Sequence, residues 1–450
     1  MSQDLPAGPP YPAAIQGVAF WNRPLAFLER CRARYGNRFT MRLPVAPPFV
    51  MHSDPAHVKE IYTAPPDVLR PGQGARVLAP VVGWNSVILL DEAPHMAQRK
   101  LMLPAFHGEK MARLAGLMEE VAEREIATWP RDEPVALHPR MQRLTLEIIL
   151  RAVFGLDAGE RLEGLRERLG AMLVFGDRPI SLMPPTEGTL AYRVLERVGP
   201  FARFAKLQAG ADELIFGLIA ERRAAAEERD DILSMLLAAR HEDGSPMSEQ
   251  EVRDELMTML VAGHETTAST LAWAFERLPR HPEVIASLRD EMEGGDDAYL
   301  TATLQEVLRR RPVLPNTAPR FVAKPVEIGG RHYEPGCALV ANAYLVHHDP
   351  ETYPDPYAFR PERFIDEAPG TYTFIPFGGG RRRCLGASFA MAEMKIVMRA
   401  VLGACDLQRV GTGFERPQRR NITIRPGNGA TVALLDRSAA GRAPEEAVAA

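Results

Sequence analysis

The chain has 450 residues, enough for one large domain or roughly two to three smaller ones. Apolar residues make up 46% and charged residues 25%, as in an ordinary globular enzyme, and a net charge of −4 gives no reason to expect nucleic-acid binding. Four cysteines, at 31, 337, 384 and 405, are too few and too scattered for a disulfide framework, so we expect a reducing cytoplasm.

The two ends of the chain carry no recognisable targeting signal. The proline-rich N-terminal stretch lacks the basic and apolar regions of a secretory signal, and no run reaches the ~18 apolar residues of a membrane span. We therefore expect no transmembrane anchor. Residues 1–435 are predicted to form a single domain, and the small, polar residues 436–450 to form a disordered tail.

The first half of the chain predicts a short mixed region followed by helices. Pro24–Tyr35 has the pattern of a helix, and 38–43 and 48–53 have that of paired strands. From about residue 94 to 240 the pattern is mostly helical. A loop is predicted at 176–188, where proline and glycine interrupt it.

The clearest helix signal lies in the second half of the chain. Ser248 and Glu251 have the spacing of a capping box, and Pro279 marks the stop. A helix of about 30 residues would extend about 45 Å and cross a whole domain. A shorter helix near 302–310, a glycine hairpin, a proline-rich meander and a second strong helix at 387–404 follow, so the fold is predicted to be mainly α with a smaller β region.

Cys384 stands between a glycine and arginine run and a helix start. The run is no dinucleotide fingerprint, because Arg382 and Arg383 occupy positions that need glycine, and no register supplies a Walker loop. A buried, inert cysteine is one interpretation of Cys384. The helix start and the arginines favour a thiolate, which could be a nucleophile or a metal ligand. A metal with one thiolate needs further ligands, and a porphyrin supplies four.

This stretch resembles the haem-binding signature F-x-x-G-x-R-x-C-x-G of the cytochrome P-450 monooxygenases. The matching residues are Phe377, Gly380, Arg382, Cys384 and Gly386. The resemblance implies the cytochrome P-450 fold, with a long central helix over the haem. It also implies haem b (heme b, iron protoporphyrin IX) as cofactor, with Cys384 as the iron ligand. Gly378 and its neighbours are expected to let the backbone pass close to the flat ring.

Two further motifs extend the resemblance. Glu306 and Arg309 resemble the family's E-x-x-R pair, with Arg363 as the third member of a structural ion network; by itself such a pair is more often a solvated helix face. The stretch 262–267 resembles the oxygen-activation motif, in which Glu265 would be a proton source and Thr266 would hydrogen-bond the bound oxygen. The alternative is a helical Thr–Thr pair beside a solvated acid.

The remaining predictions concern cofactor contacts and the substrate pocket. His95 and Arg99 lie one helical turn apart and, with Arg320 and Arg382, resemble the family's propionate-binding residues; a helix-surface pair is the alternative. Ala262 is expected to lie against the haem. Helix periodicity and proximity to Arg320 predict these pocket residues: Thr258, Val261, Val313, Leu314, Asn316, Thr317 and Ile422.

The reaction that the resemblance implies is insertion of one atom of O2 into a lipophilic small molecule, such as a fatty acid, terpenoid, steroid-like compound or polyketide. Electrons would come from a ferredoxin or flavodoxin with its reductase. A basic cluster at Arg381, Arg383, Lys395 and Arg399 is the expected docking site, or else an ordinary solvated surface. A haem-thiolate peroxygenase or isomerase and a non-catalytic haem sensor are the alternative functions.

Overall fold

The computed structural model describes residues 4–106, 109–156, 159–175, 199–225 and 229–437. Helices dominate these residues, as the sequence predicts. The longer α-helices span Pro24–Tyr35, Glu92–Met102, Glu109–Ala127, Leu137–Phe154, Glu160–Val174, Gly199–Ala225, Glu249–Arg277, Pro282–Gly294, Ala298–Arg310 and Ala387–Ala404. The shorter ones span Ala13–Asn22, Pro55–Thr63, Pro71–Gly74, Ala79–Val82, Ile232–Ala238, Ala343–His347 and Arg363–Asp366.

Short strands form the β region. They are β1 Arg38–Met41, β2 Phe49–His52, β3 Leu69–Arg70, β4 Pro134–Ala136, β5 Arg320–Val322, β6 Val326–Ile328, β7 Arg331–Tyr333, β8 Ala338–Ala341, β9 Cys405–Arg409, β10 Pro417–Arg420, β11 Thr423–Pro426 and β12 Thr431–Asp436. The largest sheet has the order β1-β2-β8-β5-β3, in which β2 and β8 run parallel. A second sheet has the order β4-β12-β9, and β6-β7 and β10-β11 are antiparallel hairpins.

Several predicted elements have the expected bounds. The helix Pro24–Tyr35 is confirmed, and the predicted helix 387–404 is present over its whole length. The helix predicted near 302–310 begins earlier, at Ala298. The loop predicted at 176–188 lies outside the described residues, and so does the predicted tail after residue 437.

The helix Glu249–Arg277, called the central helix below, crosses the interior. The Ser248 hydroxyl accepts a hydrogen bond from the Glu251 backbone N–H, and the Glu251 carboxylate accepts one from the Ser248 backbone N–H at 2.8 Å, which is the predicted capping box. Its neighbours fix its position, because most of its side chains are buried. Among the helices that pack on it are Leu137–Phe154, Ala298–Arg310 and Ala387–Ala404.

A buried ion network joins the helix Ala298–Arg310 to the proline-rich meander. Arg309 donates Nε and Nη2 to the Glu306 carboxylate at 2.7 and 2.8 Å, and Arg363 Nε lies 3.2 Å from the same carboxylate. The structure thus contains the three-residue arrangement that the resemblance implies. Arg309 also donates to the backbone carbonyls of His347, Pro356 and Ala358.

His347 connects this network to the segment that carries Cys384. Burial, together with the charge of Arg309, lowers the pKa of His347 to about 3, so its imidazole is neutral. The neutral ring accepts a hydrogen bond at Nε2 from the backbone N–H of Ile375, at 2.8 Å. The meander and the approach to Cys384 are therefore held by one continuous set of buried contacts.

We predict that Glu306→Ala lowers the free energy of unfolding by about 3–5 kcal/mol, because it leaves Arg309 and Arg363 buried without an anion. Chemical denaturation followed by circular dichroism measures the change. The exposed Glu293→Ala is the control, with an expected change within about 0.5 kcal/mol. A loss for Glu306→Ala as small as that of the control would contradict the structural role of the network.

Candidate active site

The cysteine loop, residues 377–386, precedes the helix Ala387–Ala404. Gly378 and Gly380 have φ angles of 66° and 63°, in the left-handed region that side chains rarely adopt. A Cβ atom would lie 2.4 Å from the Tyr62 ring at Gly379 and 2.5 Å from the Tyr62 carbonyl oxygen at Gly380. In this structure the turn and Tyr62 favour glycine at 378–380, and the approach of this backbone to a flat cofactor ring stays a prediction.

Cys384 differs from the other cysteines in its exposure. Its side chain is exposed, whereas those of Cys31, Cys337 and Cys405 are buried. Its backbone N–H donates to the Phe377 carbonyl at 2.9 Å, which closes the loop. The interpretation of Cys384 as an inert buried cysteine therefore does not fit the structure, and its thiol is open to a ligand.

Opposing influences act on the pKa of the Cys384 thiol. Desolvation raises this pKa, while the backbone N–H of Gly386 and the charges of Arg99 and Arg383 lower it. The thiol is accessible to a ligand and yet surrounded by enough protein to be desolvated, as at the bottom of a recess. The same N–H group and arginines would stabilise a thiolate once a metal replaces the proton.

The central helix is open along one short stripe. Between Val252 and Arg277 every side chain is buried except Ala262, which is exposed, and Val261, Gly263 and Thr266, which are half-buried. The Thr266 hydroxyl donates to the Ala262 carbonyl, one turn earlier, at 2.6 Å. Because the rest of the helix is packed, this stripe is where the central helix is open to a ligand.

The stripe and the cysteine loop belong to elements that pack on each other. The central helix contacts the helix Ala387–Ala404, which begins just after Cys384. Thr267, next to Thr266, acts on Glu393 of that helix: burial raises the pKa of Glu393 well above its usual value, and the Thr267 hydroxyl opposes the shift. The helix that carries the open stripe therefore packs on the helix that follows the exposed thiol.

The predicted propionate-binding residues come together in the structure. His95, Arg99, Arg320 and Arg382 are called the basic cluster below. Burial and the charges of the three arginines lower the pKa of His95 to about 3. Burial also lowers the pKa of Arg382 to about 10, with Arg320 and Arg99 acting in the same direction. Side chains from three separate segments thus share one small, positively charged region.

The described residues do not balance the charge of the basic cluster. Among the described residues, the carboxylate that it contacts is Asp91, which lies 2.8 Å from Arg382 and also acts on Arg320. One carboxylate among three arginines leaves excess positive charge in a buried place, which is costly. The two propionates of a haem would supply the missing anions, and neutral His95 could donate an N–H to one of them. The residues present therefore fit a haem.

Arg382 has a second role that the sequence did not predict. Its guanidinium donates to the carbonyls of Val87 at 3.2 Å and Ile88 at 3.3 Å, and to the Leu90 carbonyl. With the ion pair to Asp91, these contacts use much of its donor capacity. Arg382 adds charge to the basic cluster and also anchors the segment 87–91. Asp91 gave no sequence signal beyond its position before a helix, because its partner lies far along the chain.

The Glu265 side chain is buried and takes part in an ion pair. Its carboxylate accepts hydrogen bonds from Gln142 at 2.6 Å and Ser269 at 3.0 Å, and it pairs with Arg420 at 2.9 Å. Burial would raise its pKa, but His138 and Arg420 outweigh burial and lower the pKa to about 2. In this arrangement Glu265 is a buried anion, and its role as a proton source stays a prediction.

Three predicted pocket residues have polar groups that form hydrogen bonds with other parts of the protein. Such groups are not free to bind a substrate unless a protein hydrogen bond breaks. The bonds are Thr258 with the Ser86 hydroxyl at 2.7 Å, Asn316 with the Asn342 amide at 2.5 Å, and Thr317 with the Ala341 carbonyl at 2.9 Å.

The other predicted pocket residues are apolar. Val313 is buried, while Val261, Leu314 and Ile422 are half-buried. The backbone N–H of Ile424 donates to the Val313 carbonyl at 2.8 Å, which brings the hairpin β10-β11 beside the segment after the helix Ala298–Arg310. The structure thus places Val313 and Leu314 near the hairpin tip that carries Ile422.

Among the described residues, no helix is long and apolar enough to cross a membrane. The same residues contain no group of three or more His, Cys, Asp or Glu side chains that could hold a metal ion.

Comparisons with known proteins agree with this geometry. The family model of cytochrome P450 matches residues 6–431. Cytochrome P450 135B1 of Mycobacterium tuberculosis is 38% identical over 439 residues, which cover 96% of this chain and 91% of that protein. Cytochrome P450 138 of Mycobacterium bovis is 36% identical over 435 residues, covering 96% and 97%.

A solved structure shows the same fold. Retinoic acid bound cyanobacterial CYP120A1 aligns with a TM-score of 0.82 and 23% identity, over 96% of this chain and 100% of that one. This similarity confirms the predicted fold class, mainly α with a smaller β region in one domain. Because the family model spans nearly the whole chain and the relatives match over most of their length, the chain belongs to the cytochrome P450 family of haem-dependent monooxygenases.

Proposed function

We propose that this monooxygenase inserts one oxygen atom of O2 into a lipophilic small molecule, such as a fatty acid, terpenoid, steroid-like compound or polyketide. One observation carries the substrate class. The polar groups of the predicted pocket are hydrogen bonded inside the protein, whereas Val261, Leu314 and Ile422 stay partly open. An apolar lining with few free polar groups suits an apolar ligand.

The proposed cofactor is haem b. Cys384 would bind its iron, and the basic cluster would bind its propionates. When bound, the haem with its thiolate ligand supplies the activation of O2. The N–H of Gly386, which lowers the pKa of the Cys384 thiol, would moderate the charge on the sulfur. Phe377 closes the loop through the Cys384 backbone N–H, and so sets the position of the thiolate.

Thr266 is the proposed proton-handling residue. Its hydroxyl is oriented by the Ala262 carbonyl at 2.6 Å, in the open stripe of the central helix. Its oxygen can accept a hydrogen bond from water and pass a proton into the cavity after a small rotation. Since Glu265 is an ionised partner of Arg420, the proton reaches this position through water at Thr266 and not directly from the Glu265 carboxyl.

We infer that a ferredoxin or flavodoxin, with its reductase, supplies the electrons. Arg381 and Arg383 in the cysteine loop are exposed and have no ion pair within the described part of the chain. An acidic carrier that docks there would lie next to Cys384. The other two predicted docking residues are already engaged: Lys395 pairs with Asp297 at 2.6 Å and Arg399 donates to the Asp296 carbonyl at 2.6 Å.

The first prediction of this proposal concerns Cys384. The reduced protein with carbon monoxide should show the red-shifted Soret band of thiolate ligation, and Cys384→Ala should abolish it because no thiolate remains. Absorption spectroscopy measures the band, and Cys405→Ala, at a buried cysteine, is the control that should keep it. A Cys384→Ala protein that retains the band would contradict the assignment.

A second prediction concerns proton delivery. Thr266→Ala should retain haem but lower product formed per electron consumed by about 10- to 100-fold, with the difference appearing as peroxide. Thr266→Ser keeps the hydroxyl and should stay close to wild type. Wild-type coupling in Thr266→Ala would exclude the role of Thr266. Turnover with peroxide that exceeds turnover with ferredoxin and reductase would favour a peroxygenase instead.

A third prediction concerns the electron carrier. Arg381→Glu with Arg383→Glu should slow reduction of the haem by a ferredoxin about tenfold at low salt, because both exposed charges reverse sign. Lys395→Gln is the control, since Asp297 already pairs with Lys395. Stopped-flow reduction under carbon monoxide measures the rate. Equal slowing by the control would show that no localised docking site exists at the two arginines.

A further inference from the structure

The segment 83–91, called the wall below, is bound to the central helix by backbone contacts. The Asp254 carboxylate accepts hydrogen bonds from the backbone N–H of Asn85 at 3.0 Å and from its side-chain amide at 2.9 Å. Gly83 has a φ of 85°, and a Cβ there would lie 2.0 Å from the same carboxylate. Asp254 therefore requires glycine at 83 and fixes where the wall begins.

The next residues of the helix continue this contact. Glu255 Oε1 accepts a hydrogen bond from the backbone N–H of Val87 at 2.7 Å. One turn later, Thr258 contacts the Ser86 hydroxyl at 2.7 Å. Thr258 lies one turn before Ala262, the exposed residue of the open stripe. The bound part of the wall thus lies one helical turn from the open stripe.

The far end of the wall is bound to the cysteine loop. Arg382 donates to the carbonyls of Val87, Ile88 and Leu90 and pairs with Asp91, as described above. Asp91 also accepts hydrogen bonds from backbone N–H groups of the helix Pro71–Gly74. The wall is therefore held at one end by the central helix and at the other by an arginine of the basic cluster.

We propose that Asp254 and Glu255 are positioning residues for the monooxygenase reaction, because they fix the wall beside the cavity in which substrate binds. The inference rests on the proposed function in one respect, that the cavity beside the open stripe is the substrate pocket. Half-buried Ile88, Leu89 and Leu90 present apolar side chains from the wall. Their position, and with it the shape of the pocket, depends on the two acids.

The two acids differ in their charge environment. Asp254 has a buried cation beside it, Arg253, at 3.0 Å. For Glu255, burial raises the pKa to about 8, and Asp254 and Glu251 on its own helix act in the same direction. The opposing groups are the side chain of Gln98, from the helix Glu92–Met102, and the backbone N–H of Val87. Glu255 is therefore protonated at neutral pH.

The raised pKa of Glu255 makes the stability of the folded protein depend on pH. The folded protein holds a proton on Glu255 that an unfolded chain would release at lower pH, so the neutral acid contributes stability that is lost as pH rises through about 8. Ionisation places a second desolvated carboxylate beside Asp254. The Val87 N–H favours the ionised carboxyl, but desolvation outweighs it, so the contact between the helix and the wall should open to admit water. Ligands that touch the wall should then bind more weakly.

The test uses the haem-loaded protein with two azole probes that bind haem iron. Imidazole is compact, whereas clotrimazole carries three phenyl groups, so clotrimazole is the probe expected to contact the wall. The variants are Glu255→Ala, which removes the acceptor for Val87, and Glu255→Gln, which keeps it without a titratable proton. Glu251→Gln is the matched control, because it changes a carboxylate on the same helix and preserves the capping-box pattern.

In wild type and in Glu251→Gln, clotrimazole should bind about tenfold more weakly at about pH 9 than at about pH 7, with imidazole corrected for its own titration as reference. Glu255→Gln should bind it equally at both pH values. Glu255→Ala should bind it about tenfold more weakly throughout, and hydrogen exchange at the Val87 amide should rise about tenfold. Spectral titration and exchange mass spectrometry give the two readouts.

Wild-type affinity and exchange in Glu255→Ala would overturn the proposal. Equal weakening of imidazole and clotrimazole would also overturn it, because the defect would then lie at the haem and not at the wall. A wild-type protein without the thiolate carbon monoxide band would count against the proposed function. The exchange measurement would still decide whether Glu255 holds the wall, so the two failures are distinguishable.

Discussion

Buried charge has to be paired, and this requirement organises the protein around its site. Arg309 with Glu306 fixes the meander that leads to the cysteine loop. Arg420 with Glu265 ties the hairpin β10-β11 to the central helix. The basic cluster departs from this pattern, since among the described residues Asp91 is the carboxylate that it contacts. That imbalance supports the proposed binding of the cofactor's anionic groups at this cluster, on grounds other than a sequence motif.

The sequence predicted the helices well because the ends of a helix are set by residues close to it in the chain. The capping box of the central helix and the segment 387–404 are examples. The sheet β4-β12-β9 was not predicted, because β4 and β12 pair across about 300 residues and neither strand has a local partner. In β10, the run from Pro417 to Arg420 has no alternation of apolar residues to indicate a strand.

In the site, too, the sequence indicated what depends on the spacing of nearby residues and missed contacts between distant ones. Motif spacing singled out the residues of the exposed thiol, the open stripe and the basic cluster, and their binding and catalytic roles stay predictions. It could not predict the partner of each side chain. Glu265 and Thr266 are adjacent in sequence, yet successive helix residues point about 100° apart. Glu265 reaches Arg420, whereas Thr266 lies in the open stripe.

The backbone of the wall is fixed at both ends, whereas side chains between the anchors can differ. Its anchors bind mainly backbone atoms: the N–H groups of Asn85 and Val87 on one side, and carbonyls held by Arg382 on the other. Side chains at 88–90 are therefore free to change without loss of any anchor. Substrate preference can then be altered through these side chains while the two ends of the wall stay fixed. Because Arg382 belongs to the basic cluster, the substrate pocket and the cofactor site share one set of supports.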